Sequence, residues 1–243
     1  MTSNFFTRFK EKGISADTLK WIAMITMFID HIGAVVLEYI PQIEIPSVYL
    51  AYFVMRFIGR LAFPIYCFLL VEGYFHTKNP MRYLRDLMIF GAISEIPFEI
   101  CFLTEVGNGF HNVYWTLALG LGVIMALDYT KKNRYANNTW INLIIMIVGA
   151  FVAESLECDY GAIGVLLIYI LYRTRDDRAK QSVFGAIAML YEVTGPIAFV
   201  LTFFYNGERK IKKYKYAFYA FYPVHLILLA AEPENLSTAS QCW

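Results

Sequence analysis

The chain has 243 residues, of which 58% are apolar, 17% aromatic and only 17% charged. An average soluble domain carries about a quarter of its residues as charges, so this composition excludes one or two ordinary water-soluble cores and points to lipid as the solvent. The net charge of +1 gives no electrostatic reason to expect a nucleic acid partner. Residues 1–18 are polar, with Arg8, Lys10 and Lys12 ahead of the first apolar run. That run is too long for the core of a cleaved signal peptide, and no small-residue cleavage site follows, so it reads as a retained helix.

A bilayer core takes about 20 apolar residues of helix. Candidate spans are residues 19–40, 48–75, 81–103, 112–129, 139–156, 159–172, 181–192, 195–205 and 216–231. Turn chemistry separates them: Pro41 and Pro46, Asn79-Pro80, Gly107-Asn108-Gly109, Asn137-Asn138, Gly195-Pro196 and Asn206-Gly207. Pro80 suits the first position of a helix, where its missing N–H is not needed. The expected fold is all-α: one transmembrane helical bundle over residues 1–243, with about nine spans and residues 1–18 as a cytoplasmic segment.

Every lysine and arginine except Arg56 and Arg60 falls at the N-terminus or in alternate loops: Arg8, Lys10, Lys12 and Lys20; Lys78, Arg82 and Arg85; Lys131, Lys132 and Arg134; Arg173, Arg175, Arg178 and Lys180; Arg209, Lys210, Lys212, Lys213 and Lys215. The opposite loops hold Glu44, Glu105, Glu157, Asp159, Glu192, Glu232 and Glu234 instead. The positive-inside rule then puts the N-terminus in the cytoplasm and the C-terminus outside a cell membrane. Read as one helix, residues 181–205 would push the 206–215 charges outside. Two short helices turning near Thr194-Gly195-Pro196 keep them inside, and a re-entrant pair does so equally well. The cysteines Cys67, Cys101, Cys158 and Cys242 form no CxxC pair, so no metal or redox motif is expected. There is no internal repeat and no low-complexity segment.

Arg56 and Arg60 lie deep in the second span. Ionisable groups at that depth cost roughly 3 kcal/mol each and normally face a bundle interior or a watery cavity. Four residues apart, they share one helix face, with Pro64 four further along. Asp30, Glu95 and Glu99 are expected at similar depth, with Glu72 nearer the inner end. The bland reading is that the arginines pair with these acids and only fasten helices. The functional reading is a polar cavity that holds an anionic or reacting group.

His31 lies near mid-membrane, about 17 Å from one end of its helix and about 14 Å from the other. A neutral imidazole is cheaper to bury than a carboxylate and exchanges a proton near neutral pH. A lone membrane histidine is otherwise a hydrogen-bonded packing residue. The adjacent Asp30 points about 100° away on the helix, so an orienting partner must come from another helix. Glu95 is the expected one, and Asp30 is expected to meet an arginine. His225, just after Pro223, reads evenly as packing or as substrate contact. His76 and His111 fall at loop edges, and Asn112 reads as a helix cap. The basic cluster Lys78, Arg82 and Arg85 at a cytoplasmic helix end suits phosphates, although such clusters more often only set topology. No Walker loop, GxSxG, HExxH or strand–helix GxGxxG occurs.

Several segments together resemble TraX-family proteins: Leu19-Lys20-Trp21-Ile22-Ala23, Met27-Phe28-Ile29-Asp30-His31-Ile32-Gly33, Arg56-Phe57-Ile58-Gly59-Arg60-Leu61-Ala62-Phe63-Pro64, Val71-Glu72-Gly73-Tyr74, Ser94-Glu95-Ile96-Pro97-Phe98, Asn112-Val113, Asp159-Tyr160-Gly161 and Tyr222-Pro223 with His225. The resemblance spans almost the whole chain. It implies a membrane enzyme similar in kind to those that acetylate a pilin amino terminus, with acetyl-CoA as co-substrate and Asp30, His31, Arg56, Arg60, Glu72 and Glu95 as motif residues. The acceptor is left open as an amine or hydroxyl of a peptide, sugar or other small molecule. In the expected mechanism, His31 is the base, Glu95 or Asp30 steadies its imidazolium, and Arg56 or Arg60 offsets charge on the thioester oxygen. His225 and Glu72 contact substrate, and Lys78, Arg82 and Arg85 hold the cofactor phosphates. A ping-pong route through acetyl-histidine is a variant. The competing class is a proton-coupled transporter, since the same buried ionisable residues suit a proton relay, but repeated halves and paired broken helices are lacking. A purely structural protein, with polar residues that only lock helices, is the third reading.

Overall fold

The structure is a computed structural model that describes residues 13–38, 41–102, 109–132, 138–209 and 215–231. Arg8, Lys10, Lys12, Arg134, Lys210, Lys212, Lys213, Glu105, Glu232, Glu234 and Cys242 lie outside the described residues, as do Gly107, Asn108 and Asn137 of the expected turns. Among these residues ten α-helices follow one another: α1 (Ala16–Ile32), α2 (Pro46–Gly59), α3 (Ala62–His76), α4 (Pro80–Phe102), α5 (Val113–Lys132), α6 (Thr139–Ser155), α7 (Gly161–Arg173), α8 (Arg178–Ala188), α9 (Ala198–Phe203) and α10 (Lys215–Ala230). Among the described residues no strand forms, as the all-α reading expects.

Local chemistry places the helix ends. Ser15 caps α1, its Oγ accepting from the Thr18 N–H at 3.2 Å. Asn79 accepts from Arg82 N–H at 2.9 Å ahead of Pro80, Asn112 from Tyr114 N–H at 3.1 Å, and Asn138 from Trp140 N–H at 3.0 Å. Each of these side chains satisfies an N–H that the first turn leaves over. α1 does not stop at Ile32 but widens into a π-turn, Gly33–Leu37, closed by Glu38 N–H to Gly33 O at 3.2 Å.

Residues 48–75, expected as one span, are helical on both sides of a break at Arg60-Leu61. Pro64 is the cause. It has no N–H for the carbonyl of Arg60, and its ring crowds that carbonyl. The chain tightens there, with Leu61 N–H bonding to Ile58 O at 3.3 Å. The expected span 181–192 also shortens, because α8 ends at Ala188 and Glu192 falls in the turn that follows.

Among the described residues, three stretches are long and apolar enough to cross a membrane: Ala16–Leu37, Pro46–His76 across its break, and Val113–Lys132. Thr139–Ser155, Gly161–Arg173 and Tyr216–Ala230 are shorter apolar helices. α4 has the length but carries Arg82, Arg85, Asp86, Glu95 and Glu99. α6 exposes Ile144, Ile147, Val148 and Phe151 along one side, a contiguous apolar face that water-soluble monomers rarely show.

The chain forms two compact units. One holds the described residues up to Leu69 with Thr174–Tyr219, and the other holds Leu70–Arg173 with the residues from Ala220 on. In the first, α1 packs on α2, and α8 packs on α9. Gly59 sets the α1–α2 distance, since a Cβ there would lie 2.1 Å from Asp30 Cβ. In the second, α5 is central, against α4, α6 and α7. Leu121, Ile124, Val165, Leu167, Ile168 and Leu171 make its fully buried core.

Candidate functional site

In the first unit, four charged side chains gather from three separate parts of the chain. Asp30, near the end of α1, accepts from Arg56 of α2, with Nη1 to Oδ2 at 2.8 Å. This is the arginine pairing expected of Asp30. Its other oxygen, Oδ1, is buried against Gly59 and has no hydrogen-bond partner among the described residues. Arg60, at the break between α2 and α3, holds Glu192 through Nε to Oε2 at 3.2 Å and Nη1 to Oε1 at 3.4 Å. The same break leaves the Phe57 carbonyl without its helical donor, because Leu61 N–H has moved to Ile58 O. The Thr194 hydroxyl takes that carbonyl at 2.5 Å. His31 sits half-buried beside Asp30, one residue before the last of α1, where the π-turn begins. Such π-turns recur at functional positions.

In the second unit, Glu95 of α4 is the centre of a different arrangement. Its Oε1 accepts from His111 Nδ1 at 2.6 Å. Its Oε2 accepts from Asn112 Nδ2 at 2.5 Å and from Trp115 Nε1 at 2.9 Å. Asn112 also donates to Gly91 O at 2.8 Å, which ties the start of α5 to α4. His111 is clamped through its backbone as well: its N–H donates to Glu157 O at 3.2 Å, and its carbonyl accepts from Asp159 N–H at 2.8 Å. The turn that supplies these groups holds Glu157 and Tyr160 at positive φ, a conformation that costs energy in residues other than glycine. Burial pushes the Cys158 thiol in the same turn up to about 11. Paired with an acceptor-only carboxylate, His111 would donate from Nδ1 and keep Nε2 as the nitrogen that takes a proton.

The other expected site residues are more dispersed. Glu72 is buried on α3, and its carbonyl holds His76 Nδ1 at 2.7 Å. His225, buried on α10, makes the same contact with Phe221 O at 2.7 Å and stacks on the Phe221 ring at 4.7 Å. Pro223 lies inside α10 without ending it. Arg82 and Arg85 are exposed on the first turns of α4, where Arg85 meets Asp86 at 3.1 Å, and Lys78 is exposed just before them. Among the described residues, no His, Cys, Asp and Glu cluster has metal-ligand geometry.

Sequence reasoning did not mark His111, Trp115 or Glu192 as site residues. His111 and Asn112 carried a signal: two polar residues directly before an apolar run, with Trp115 one turn on. Glu192 carried none, because its partner lies more than 130 residues earlier in the chain.

A family profile described as "TraX protein" matches residues 15–231. The chain is similar to "Probable fimbrial assembly protein FimC, serogroup H1" of Dichelobacter nodosus, with 30% identity over 252 residues that cover 89% of this chain and 95% of that protein. It is also similar to "Uncharacterized protein RP591" of Rickettsia prowazekii (strain Madrid E), with 27% identity over 186 residues, 76% of this chain and 66% of that protein. No solved structure matches.

Proposed function

The chain belongs to the TraX family, and on that premise we propose that it is a multi-pass membrane acyltransferase that moves an acetyl group from acetyl-CoA to an amine or hydroxyl at the outer face of the cell membrane. The name of the Dichelobacter relative favours a pilus or fimbrial subunit as acceptor. The alternate basic loops support an N-terminus inside and a C-terminus outside.

The observation that carries the reading is the Glu95–His111 pair. The carboxylate takes donors from Asn112 and Trp115 and holds Nδ1–H of the imidazole, which fixes the ring and its tautomer and stabilises an imidazolium as it forms. His111 is therefore the base. Its Nε2 takes the proton of the acceptor amine or hydroxyl as that group attacks the thioester carbonyl. The new bond to the acyl carbon forms, the carbon–sulfur bond breaks, and the proton passes from Nε2 to the departing sulfur as free thiol. His31 is the competing assignment. Arg56 and Arg60, each bound to one carboxylate, go with that assignment: with His31 as base, either would offset charge on the thioester oxygen.

Lys78, Arg82 and Arg85 remain the proposed contacts for the cofactor phosphates, with Glu72 and His225 on the substrate. The test is acetyl-CoA consumption by the purified protein in nanodiscs with a panel of peptide amines. Turnover should fall by about 10²–10⁴ in His111→Ala and persist in His31→Ala. The reverse pattern would return the base to His31. A wild type that consumes no acetyl-CoA would favour the proton-coupled transporter instead.

A further inference from the structure

The segment between α7 and α10 has a geometry that neither a surface loop nor a pair of spanning helices produces. α8 has 11 residues and α9 has 6, about 17 Å and 9 Å of helix, against a hydrocarbon core of about 30 Å. Both ends of the segment lie at one level. At its far end, Phe204 O accepts from Ile14 N–H at 2.7 Å, Asn206 N–H donates to Ile14 O at 3.0 Å, and Glu208 O accepts from Ala16 N–H at 2.9 Å, all at the start of α1. At its near end, Arg178 lies over the rings of Phe68 and Tyr205 at 4.8 and 5.3 Å.

The turn between the two helices lies elsewhere. Glu192 meets Arg60, and Thr194 meets the Phe57 carbonyl, at the middle of the Pro46–His76 stretch. Around that turn Leu190, Tyr191, Val193 and Ile197 face outward, with Val193 73% exposed, while the Glu192 side chain is turned in and only 15% exposed. A turn in water would show the opposite pattern. The backbone of the turn is also closed on itself: Met189 N–H bonds to Gly185 O, Leu190 to Ile187 O, Glu192 to Met189 O, Gly195 to Glu192 O and Ile197 to Thr194 O. Hydrocarbon demands that closure of any non-helical backbone.

We infer that residues 178–205 are a re-entrant hairpin whose unwound tip stops within the membrane and there presents Glu192 to Arg60. Gly185 makes the hairpin narrow, because a Cβ there would lie 2.3 Å from the Phe199 ring. The hairpin enters and leaves on one side, which explains basic residues at both of its ends: Arg173 and Arg175 before it, Arg178 and Lys180 in its first turn, and Arg209 after it. There Glu192 fixes the guanidinium of Arg60 at a depth where an unpaired arginine would reach for water.

The experiment has two arms. In the first, the full chain with its four native cysteines replaced by alanine carries either Val193→Cys or Glu208→Cys, in sealed vesicles of phosphatidylglycerol and phosphatidylethanolamine. A membrane-impermeant maleimide should label Glu208→Cys from one side and Val193→Cys from neither, and a nitroxide at 193 should collide with oxygen rather than with a nickel chelate. Labelling of Val193→Cys from the side opposite Glu208→Cys would overturn the hairpin. Should the cysteine-free chain fail to fold, Val193→Lys in the native chain decides: a re-entrant tip predicts at least a tenfold loss of inserted protein, and an aqueous turn predicts none.

In the second arm, Glu192→Ala should lower the amount of inserted protein at least tenfold, and Arg60→Leu in the same chain should restore part of it. Unchanged insertion in Glu192→Ala would remove the ion pair at depth. Neither arm reads turnover, so a wild type that consumes no acetyl-CoA would leave both results standing.

Discussion

The two units handle buried polarity in opposite ways. In the first, charge is cancelled by charge, Asp30 against Arg56 and Glu192 against Arg60. In the second, the Glu95 carboxylate meets an amide, an indole and an imidazole and, among the described residues, no arginine or lysine. The distinction is chemical. A carboxylate bound to arginine has its negative charge neutralised and has little pull left for a neighbouring proton. A carboxylate held by neutral donors keeps its charge and can stabilise an imidazolium beside it. Under the proposed function, the first unit is a fastening and the second the part that moves a proton.

The largest effect expected from this contrast is on rate. His111→Ala should lose about 10²–10⁴ of turnover with little change in thermal stability, since the ring is partly exposed. An intact rate would dissolve the distinction between the units. Next comes a stability effect in the first unit. Arg56→Ala leaves Asp30 as a buried, unpaired carboxylate, which costs about 3–5 kcal/mol. Asp30→Asn in the same chain should recover much of that loss in a thermal unfolding assay in detergent. Gly59→Ala is smaller, about 1–3 kcal/mol as an overpacking effect, because the new methyl would overlap the Asp30 side chain.

The smallest is a pH effect at the entrance of α8. Asp177 caps that helix, and the Lys180 N–H, followed by the Lys180 ammonium, holds its carboxyl below the usual carboxylate range. Its folded value is depressed. Its contribution is therefore fully present above the ordinary carboxylate range, near pH 4, and is lost as the pH falls through the lower folded value. Asp177→Asn should keep the cap and remove this acid dependence of the melting temperature.

Much of the helical order was legible because it is local. Asn79-Pro80, Asn112 and Asn138 announce their helices by side chains that cap the very next turn. The Asp30–arginine pairing was legible from chemistry, since two buried arginines need acids. The break at Arg60 was missed although Pro64 was in view. Its effect falls four residues earlier, on a carbonyl, and an apolar run hides it. Charge could not choose between the two readings of residues 181–205, because a spanning pair and a re-entrant pair leave every later loop on the same side. Only the depth of Glu192 separates them, and depth comes from tertiary packing. His111 was set aside at a loop edge because nothing local reveals that a turn more than 45 residues later clamps its backbone.

The most direct test of the central claim is a double-mutant cycle on turnover with Glu95→Gln and His111→Ala. If Glu95 acts through His111, each single variant loses rate, and Glu95→Gln adds nothing once His111 is gone, as expected for residues that work as one unit. Fully additive losses, or a Glu95→Gln protein with normal turnover, would contradict the account.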